Sequence, residues 1–295
     1  MKFDGKKNTN GKRVFTLDGK MVFSNVDPSL DDIFKVSNNQ APDDFYKAKE
    51  IYTSGKSMDI IKLGENEEKR AFVKVLNDGF STSIEVSLIE NGRSDELIEN
   101  DRKMLATFPE IIGENGVARV NIFNFFKKTV GVLKKDVRFA YRTFKIDVDK
   151  KNELTTYIYH LQILAIATLA IMNSFSYKSP IRIAVDKNGD FCRIEFETKT
   201  DESVNFTSKE SIIKEFADVE MRVNFIESLC NKDGIGFYIE HTNKRLVIAY
   251  ELTDEPTTKK RLLSTVQRDL MEFTRKYMDI FNYSIIDTEE QEGEE

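Results

Sequence analysis

Few side chains in this sequence can do chemistry, and they are thinly spread. Two histidines, His160 and His241, and two cysteines, Cys192 and Cys230, are the only imidazoles and thiols. No His-x-x-x-His or Cys-x-x-Cys spacing occurs, so a zinc centre would have to recruit carboxylates, and no metal is assigned. His160 falls in an otherwise apolar stretch, which suits a hydrogen-bonded core or boundary histidine. His241 falls in a predicted hairpin and is expected at the surface. Gly234-Ile235-Gly236 reads as a turn, being too short for a dinucleotide loop, and no Gly-x-x-x-x-Gly-Lys-Ser/Thr run exists. The Asp and Glu residues show no spacing that singles out a catalytic pair, and solvated surface charge accounts for them. The informative residue is Asn173. It lies near the end of Leu154–Tyr177, twenty-four residues without a formal charge, after which Lys178-Ser179-Pro180 leads into an alternating strand. A long apolar helix, an Asn at its C-terminal end, a short polar turn and a strand suggest a nucleotide-binding type of architecture. Taken alone, such an Asn also suits a helix cap or a hydrogen-bonding core residue.

The elements around these residues set the frame. From Leu161 to Met172 apolar residues fall on nearly every helical face, the pattern of a helix buried inside a protein. Its length approaches that of a membrane span, but Thr155, Thr156, His160, Gln162, Thr168, Asn173 and Ser174 argue for a core helix instead. With 295 residues the chain has room for two domains. Its 40% hydrophobic and 32% charged residues fit a globular protein. The N-terminus lacks the basic-then-apolar order of a secretory signal, so the expected location is cytoplasmic. Two cysteines cannot build a disulfide framework, and both are expected to be small buried residues. A net charge of -6 and a pI near 5.3 argue against a nucleic-acid surface, and neither nucleic acid nor membrane is expected as a partner. Lys127-Lys128, Lys134-Lys135 and Lys259-Lys260-Arg261 punctuate predicted helices as polar faces. Residues 284–295 are expected to form an acidic, disordered tail.

Along the first third, Arg13–Leu17 and Met21–Asn25 flank Asp18-Gly19-Lys20, a hairpin signal. Short helical pieces are predicted for Pro28–Val36 and Pro42–Thr53. Strands follow at Asp59–Leu63, Ala71–Leu76 and Ser81–Ile89, the last alternating Ile84, Val86 and Leu88 against polar neighbours. This order of hairpin, small helices and three-stranded meander resembles a PAS sensor domain, placed at residues 12–92. Two amphipathic helices are predicted next, Asp95–Ile112 and Val120–Phe144, broken at Gly113-Glu114-Asn115-Gly116. They would form a helical connector over 93–145, with self-association as a homodimer through 120–144.

From 146 onward the chain resembles the ATP-binding domain of sensor histidine kinases and their GHKL relatives. In that family a helix ending in an Asn-Ala-x-Lys-Tyr-Ser-Pro-like segment leads into two antiparallel strands; here Ile171–Pro180, Ile181–Val185 and Phe191–Phe196 take those places. Arg222–Cys230 resembles the last long helix, followed by the glycine turn and a closing hairpin. The resemblance implies an α+β chain whose C-terminal part is an ATPase-like α/β sandwich; within the bounds 146–283 the apolar spacing of Leu262, Leu263, Val266, Leu270, Phe273, Met278 and Ile280 adds one more helix over Pro256–Phe281, which that family does not need. It also implies Asn173, Tyr177 and Lys178 as nucleotide-binding residues, with Asn173 on magnesium. Against this, the family's Asp-x-Gly-x-Gly loop is replaced by Glu197–Ser203, which has no glycine, and no second glycine loop lies between Phe206 and Met221. Side chains there would obstruct the backbone's approach to a nucleotide. One turn before Asn173 stands Leu169, which cannot ligate magnesium, and no histidine lies on a helix ahead of the domain to accept a phosphoryl group. The expectation is a non-catalytic signalling or scaffold protein with no cofactor and with a protein partner or itself as ligand. The alternatives are a divergent kinase or ATPase that takes Mg-ATP through Asn173, and a structural self-association protein.

Overall fold

The structure is a computed structural model and describes residues 11–25, 43–63, 69–77, 80–89, 95–113, 116–175, 179–200, 217–254 and 263–281. The chain divides into two compact units, with the boundary between Pro109 and Glu110.

The first unit is built on β1 (Lys12–Thr16), β2 (Met21–Ser24), α1 (Asp43–Thr53), β3 (Met58–Leu63), β4 (Lys69–Asn77), β5 (Thr82–Leu88) and α2 (Asp95–Ala106). Asp18-Gly19 makes the predicted turn: Gly19 has φ +90, a value that favours glycine, and Thr16 N donates to Lys20 O at 2.9 Å. The five strands form one antiparallel sheet in the order β2-β1-β5-β4-β3. Alternation decides which side is buried. Ile84 and Val86 of β5, Phe15 of β1 and Ala71 and Val73 of β4 form a core with Phe45 and Ala48 of α1. The Phe15 and Phe45 rings lie 5.5 Å apart. The expected helix Pro28–Val36 lies outside the described residues.

The second unit opens with the end of α3 (Phe108–Gly113) and continues through β6 (Val117–Asn121), α4 (Ile122–Leu133), α5 (Val137–Ala140), β7 (Phe144–Asp147), β8 (Glu153–Tyr157) and α6 (Ile158–Phe175). Then come β9 (Ile181–Asn188), β10 (Phe191–Lys199), α7 (Ala217–Asp233), β11 (Gly236–Thr242), β12 (Arg245–Thr253) and α8 (Leu263–Phe281). Its main sheet has the order β11-β12-β10-β9-β7, antiparallel except for the parallel β7–β9 pair, while β6 and β8 pair separately. Cys192, Ile194, Phe196, Ile248 and Tyr250 face inward, and the helices cover them. Phe126 of α4 meets Phe196 edge-on at 5.7 Å, and Thr168 of α6 bonds to the Tyr250 hydroxyl at 2.5 Å. The outer face carries ion pairs instead, Arg182–Asp147 at 2.7 Å, Arg245–Glu197 at 2.8 Å and Arg193–Glu251 at 2.7 Å.

Two expectations are corrected. The helix expected over Val120–Phe144 is strand, helix, short helix and strand. Asn121 accepts from Asn124 N at 2.9 Å and caps α4, so the helix cannot begin earlier, and Asp136 restarts the chain by capping α5 through Arg138 N. Helical spacing of apolar residues ran straight through both caps. Residues 93–145 are therefore not a free-standing connector: α2 belongs to the first unit and everything from β6 onward to the second. The apolar side chains that suggested dimerisation, among them Ile122, Phe126, Val130 and Leu133, are buried within the second unit. The core helix also starts later than its uncharged run, because Leu154–Tyr157 belong to β8. From Ile158 to Asn173 every residue of α6 is buried. The helix is long and apolar enough to cross a membrane, and 89% of it is buried inside the protein.

Gly116 lets β6 approach α6. Its carbonyl accepts from Ile158 N at 3.0 Å, and an added Cβ would stand 2.4 Å from the Tyr159 ring, which lies 5.0 Å from the Phe273 ring of α8. Gly116→Ala is expected to cost about 1–3 kcal/mol in urea unfolding by overpacking this junction; an unchanged midpoint would show that the ring moves aside freely.

Candidate functional site

The residues singled out from sequence converge on the C-terminal end of α6. Asn173 is 5% exposed, and its Oδ1 is buried with no hydrogen-bond partner. One residue earlier, the Met172 carbonyl accepts from Arg142 Nη2 at 3.5 Å. Arg142 comes from the turn after α5 and is itself buried, so a guanidinium stands against the negative end of the α6 dipole. Tyr177 and Lys178, the other two candidates, lie outside the described residues.

The sheet supplies the opposite wall. Strand alternation sends Glu197 to the outer face, where Arg245 and then Arg182 hold its carboxyl below the usual carboxylate range. The inward positions are threonines. Thr198 Oγ1 donates to Pro180 O at 3.0 Å, and Thr200, just past the strand, bonds through Oγ1 to His241 Nε2 at 2.6 Å. His241 is wholly buried on β11, and its ring meets Phe175 of α6 edge-on at 5.5 Å. The surface position expected for His241 is thus corrected: Ile239 and His241 alternate onto the inner face, while their neighbours point outward. Phe175, Thr200 and His241 form a packed cluster across the end of the α6–sheet gap. Of the glycine-free stretch 197–203, residues 201–203 lie outside the described residues, as do 206–216 of the stretch Phe206–Met221.

Burial holds the His241 imidazole below its ordinary pKa. The unfolded chain therefore binds a proton that the folded one resists, so this contribution to stability is complete above about pH 6.5 and is lost as pH falls toward the folded value. Thermal unfolding of the wild type is expected to weaken through that window more steeply than that of His241→Gln. Parallel curves would remove His241 from the pH dependence.

The other histidine is occupied as well. His160 lies 2% exposed on α6, with Nδ1 2.6 Å from Asp233 Oδ2 of α7 and Nε2 2.9 Å from Ile111 O. Both ring nitrogens thus face oxygen acceptors, and Tyr157 stacks on the ring at 5.4 Å. Buried and occupied at both nitrogens, the imidazole is not presented to an incoming phosphoryl group. Its core placement agrees with its apolar sequence surroundings. Asp233, 73 positions away, gave no sign in the sequence of being its partner. Cys192 and Cys230 are buried and free, and burial pushes the Cys192 thiol up to about 11 and raises Cys230 as well. Among the described residues, no group of three or more His, Cys, Asp or Glu side chains is placed to hold a metal ion.

No protein-family model matches the chain, and no curated protein matches it. Several solved structures are similar. The histidine kinase AdeS of Acinetobacter baumannii is similar over 55% of this chain and 79% of its own, at 8% identity and a TM-score of 0.43. Histidine kinase ThkA, solved in complex with the response regulator protein TrrA, is similar over 84% of this chain and 97% of its own, at 10% identity and a TM-score of 0.38. A histidine kinase from Burkholderia phymatum is similar over 56% and 82%, at 8% identity and a TM-score of 0.36. All three of these structures are of histidine kinases.

Proposed function

We propose that this chain is a non-catalytic signalling or scaffold protein, in which a PAS-like sensor or interaction unit precedes a kinase-shaped unit that no longer holds a nucleotide. The strand order β2-β1-β5-β4-β3, with α1 between β2 and β3, supports the PAS-like reading of the first unit. The observation that carries the second half is the cluster of Phe175, Thr200 and His241. Thr200 belongs to the stretch where the resemblance calls for a glycine loop, and its hydroxyl is bonded to the buried His241 ring, which packs on Phe175; this supports the reading. A protein, not a cofactor, is then the expected ligand.

Isothermal titration with Mg-ATP tests the reading. No saturable heat is expected, and a Kd tighter than about 100 μM, near −5.5 kcal/mol, would overturn it. A second reading, a divergent ATPase or kinase that places magnesium on Asn173, is favoured by one observation, the buried and unpartnered Oδ1 of that residue. Under that reading the wild type hydrolyses ATP and Asn173→Ala loses the activity while keeping its circular dichroism; a wild type without turnover removes it.

A further inference from the structure

A cleft opens in the helical layer of the second unit, among β6, α4, α6 and α8. Phe125 and Val132 of α4 with Leu270 and Met271 of α8 make it mainly apolar, and Thr129, Gln162 and Thr274, each at most 4% exposed, add polar groups. Its free space is about 20 Å³, more than the roughly 10–15 Å³ that one water needs and too little for a nucleotide. It is also remote from Asn173, because Gln162 stands eleven positions earlier on α6, about 16 Å along the helix axis. The two hydroxyls are committed. Thr274 Oγ1 donates to Leu270 O at 2.7 Å, and Thr129 Oγ1 is shared between Phe125 O and Gln162 Oε1, both at 3.0 Å. Gln162 Nε2 is buried with no hydrogen-bond partner. A donor left in that state costs free energy, which an occupant offering an acceptor recovers.

We propose that this cleft is a binding site for a small, mainly apolar molecule of a few heavy atoms that carries one hydrogen-bond acceptor, a carbonyl oxygen being the type. The oxygen accepts from Gln162 Nε2, and the apolar body lies against Phe125, Val132, Leu270 and Met271. Those four walls offer a water nothing, whereas they give a hydrocarbon body dispersion contacts on several sides. An occupant touches α4, α6 and α8 at once, so it holds α8, the helix added to the sandwich, against the core. The site is independent of the nucleotide question, since neither Asn173 nor His241 takes part in it.

Titration of the full, isotope-labelled chain with cyclopentanone, followed by NMR, tests the site. Saturable shifts are expected at the Gln162 side-chain amide and at the backbone amides of residues 129, 162 and 270–274, with nuclear Overhauser contacts from the ring to the Val132 and Leu270 methyls. No saturable shift, or contacts only elsewhere, would overturn the proposal, and neither result depends on a variant. Gln162→Leu is expected to weaken cyclopentanone binding about fivefold or more and to leave cyclopentane, the ring without its oxygen, no weaker. Equal weakening of both probes would trace the effect to the shape of the cleft and overturn the acceptor role. Cyclopentanol supplies the last arm, because a hydroxyl can donate as well as accept. Binding of the alcohol with none of the ketone would mean that Gln162 presents its oxygen, and would overturn the proposed ligand class.

Discussion

Asp233→Ala is expected to lower the stability of the second unit by about 3–5 kcal/mol, the range for removing one member of a buried pair. The size of the effect follows from the geometry of His160. Its Nδ1 lies 2.6 Å from the Asp233 carboxylate, its Nε2 lies 2.9 Å from the Ile111 carbonyl, and both side chains are nearly inaccessible to water. Without Asp233, the ring edge facing α7 keeps its desolvation and loses its partner. The pair also ties α6 to α7, and through Ile111 to the end of α3, so the loss falls on a junction of three helices. His160→Leu in the Asp233→Ala background should recover part of the loss, because an apolar side chain needs no acceptor. A double-mutant cycle by denaturant unfolding measures the coupling. A single-variant cost under about 1 kcal/mol would mean that the pair contributes no more than a surface contact.

Arg222→Ala is expected to cost about 3 kcal/mol or more, combining lost packing with a lost charge-assisted hydrogen bond. Arg222 is wholly buried on α7, and its Nε donates to the Phe281 carbonyl at 2.9 Å, one of the carbonyls that a helix end leaves without a partner inside the helix. Phe225, one turn further along α7, meets Phe281 edge-on at 5.0 Å. The two contacts pin the final turn of α8 to α7. Hydrogen exchange should therefore show lost protection over residues 270–281 in Arg222→Ala, with less change over α6. If protection of 270–281 stays at the wild-type level, α8 is held by its contacts with Tyr159 and α4 instead. Arg222→Lys separates charge from geometry, since an ammonium cannot reproduce the planar guanidinium fork.

Much of the first unit could be read from residues alone. The turn at Asp18-Gly19 and the alternation of Ile84, Val86 and Leu88 are local signals, and each appears where it was expected, because strand period and turn chemistry are set within a few residues. The helix expected over Val120–Phe144 fails for a reason just as local. Asn121 and Asp136 are strong caps, but inside an apolar rhythm their side chains can also be read as the polar face of one long helix. Which reading holds depends on whether β6 and β7 find strands to pair with, and those partners, β8 and β9, lie further along the chain.

The candidate site divides in the same way. Asn173 at the end of the buried helix was visible from composition, and so was the missing glycine after β10. His241 and Asp233 were not. A histidine in a hairpin is exposed or buried according to which face of the sheet the helices cover, and an aspartate at a helix end is solvated or paired according to which helix lies against it. From its sequence alone this protein had the strands and the opening turn of its first sheet, its buried central helix and its lack of phosphate-cradling glycines, since these rest on periodicity and on backbone freedom carried by single residues. Only the tertiary structure brought Phe175, Thr200 and His241 together, gave His160 its carboxylate and set Arg142 against the α6 terminus, because burial and hydrogen bonding between distant positions follow from packing that no local pattern encodes.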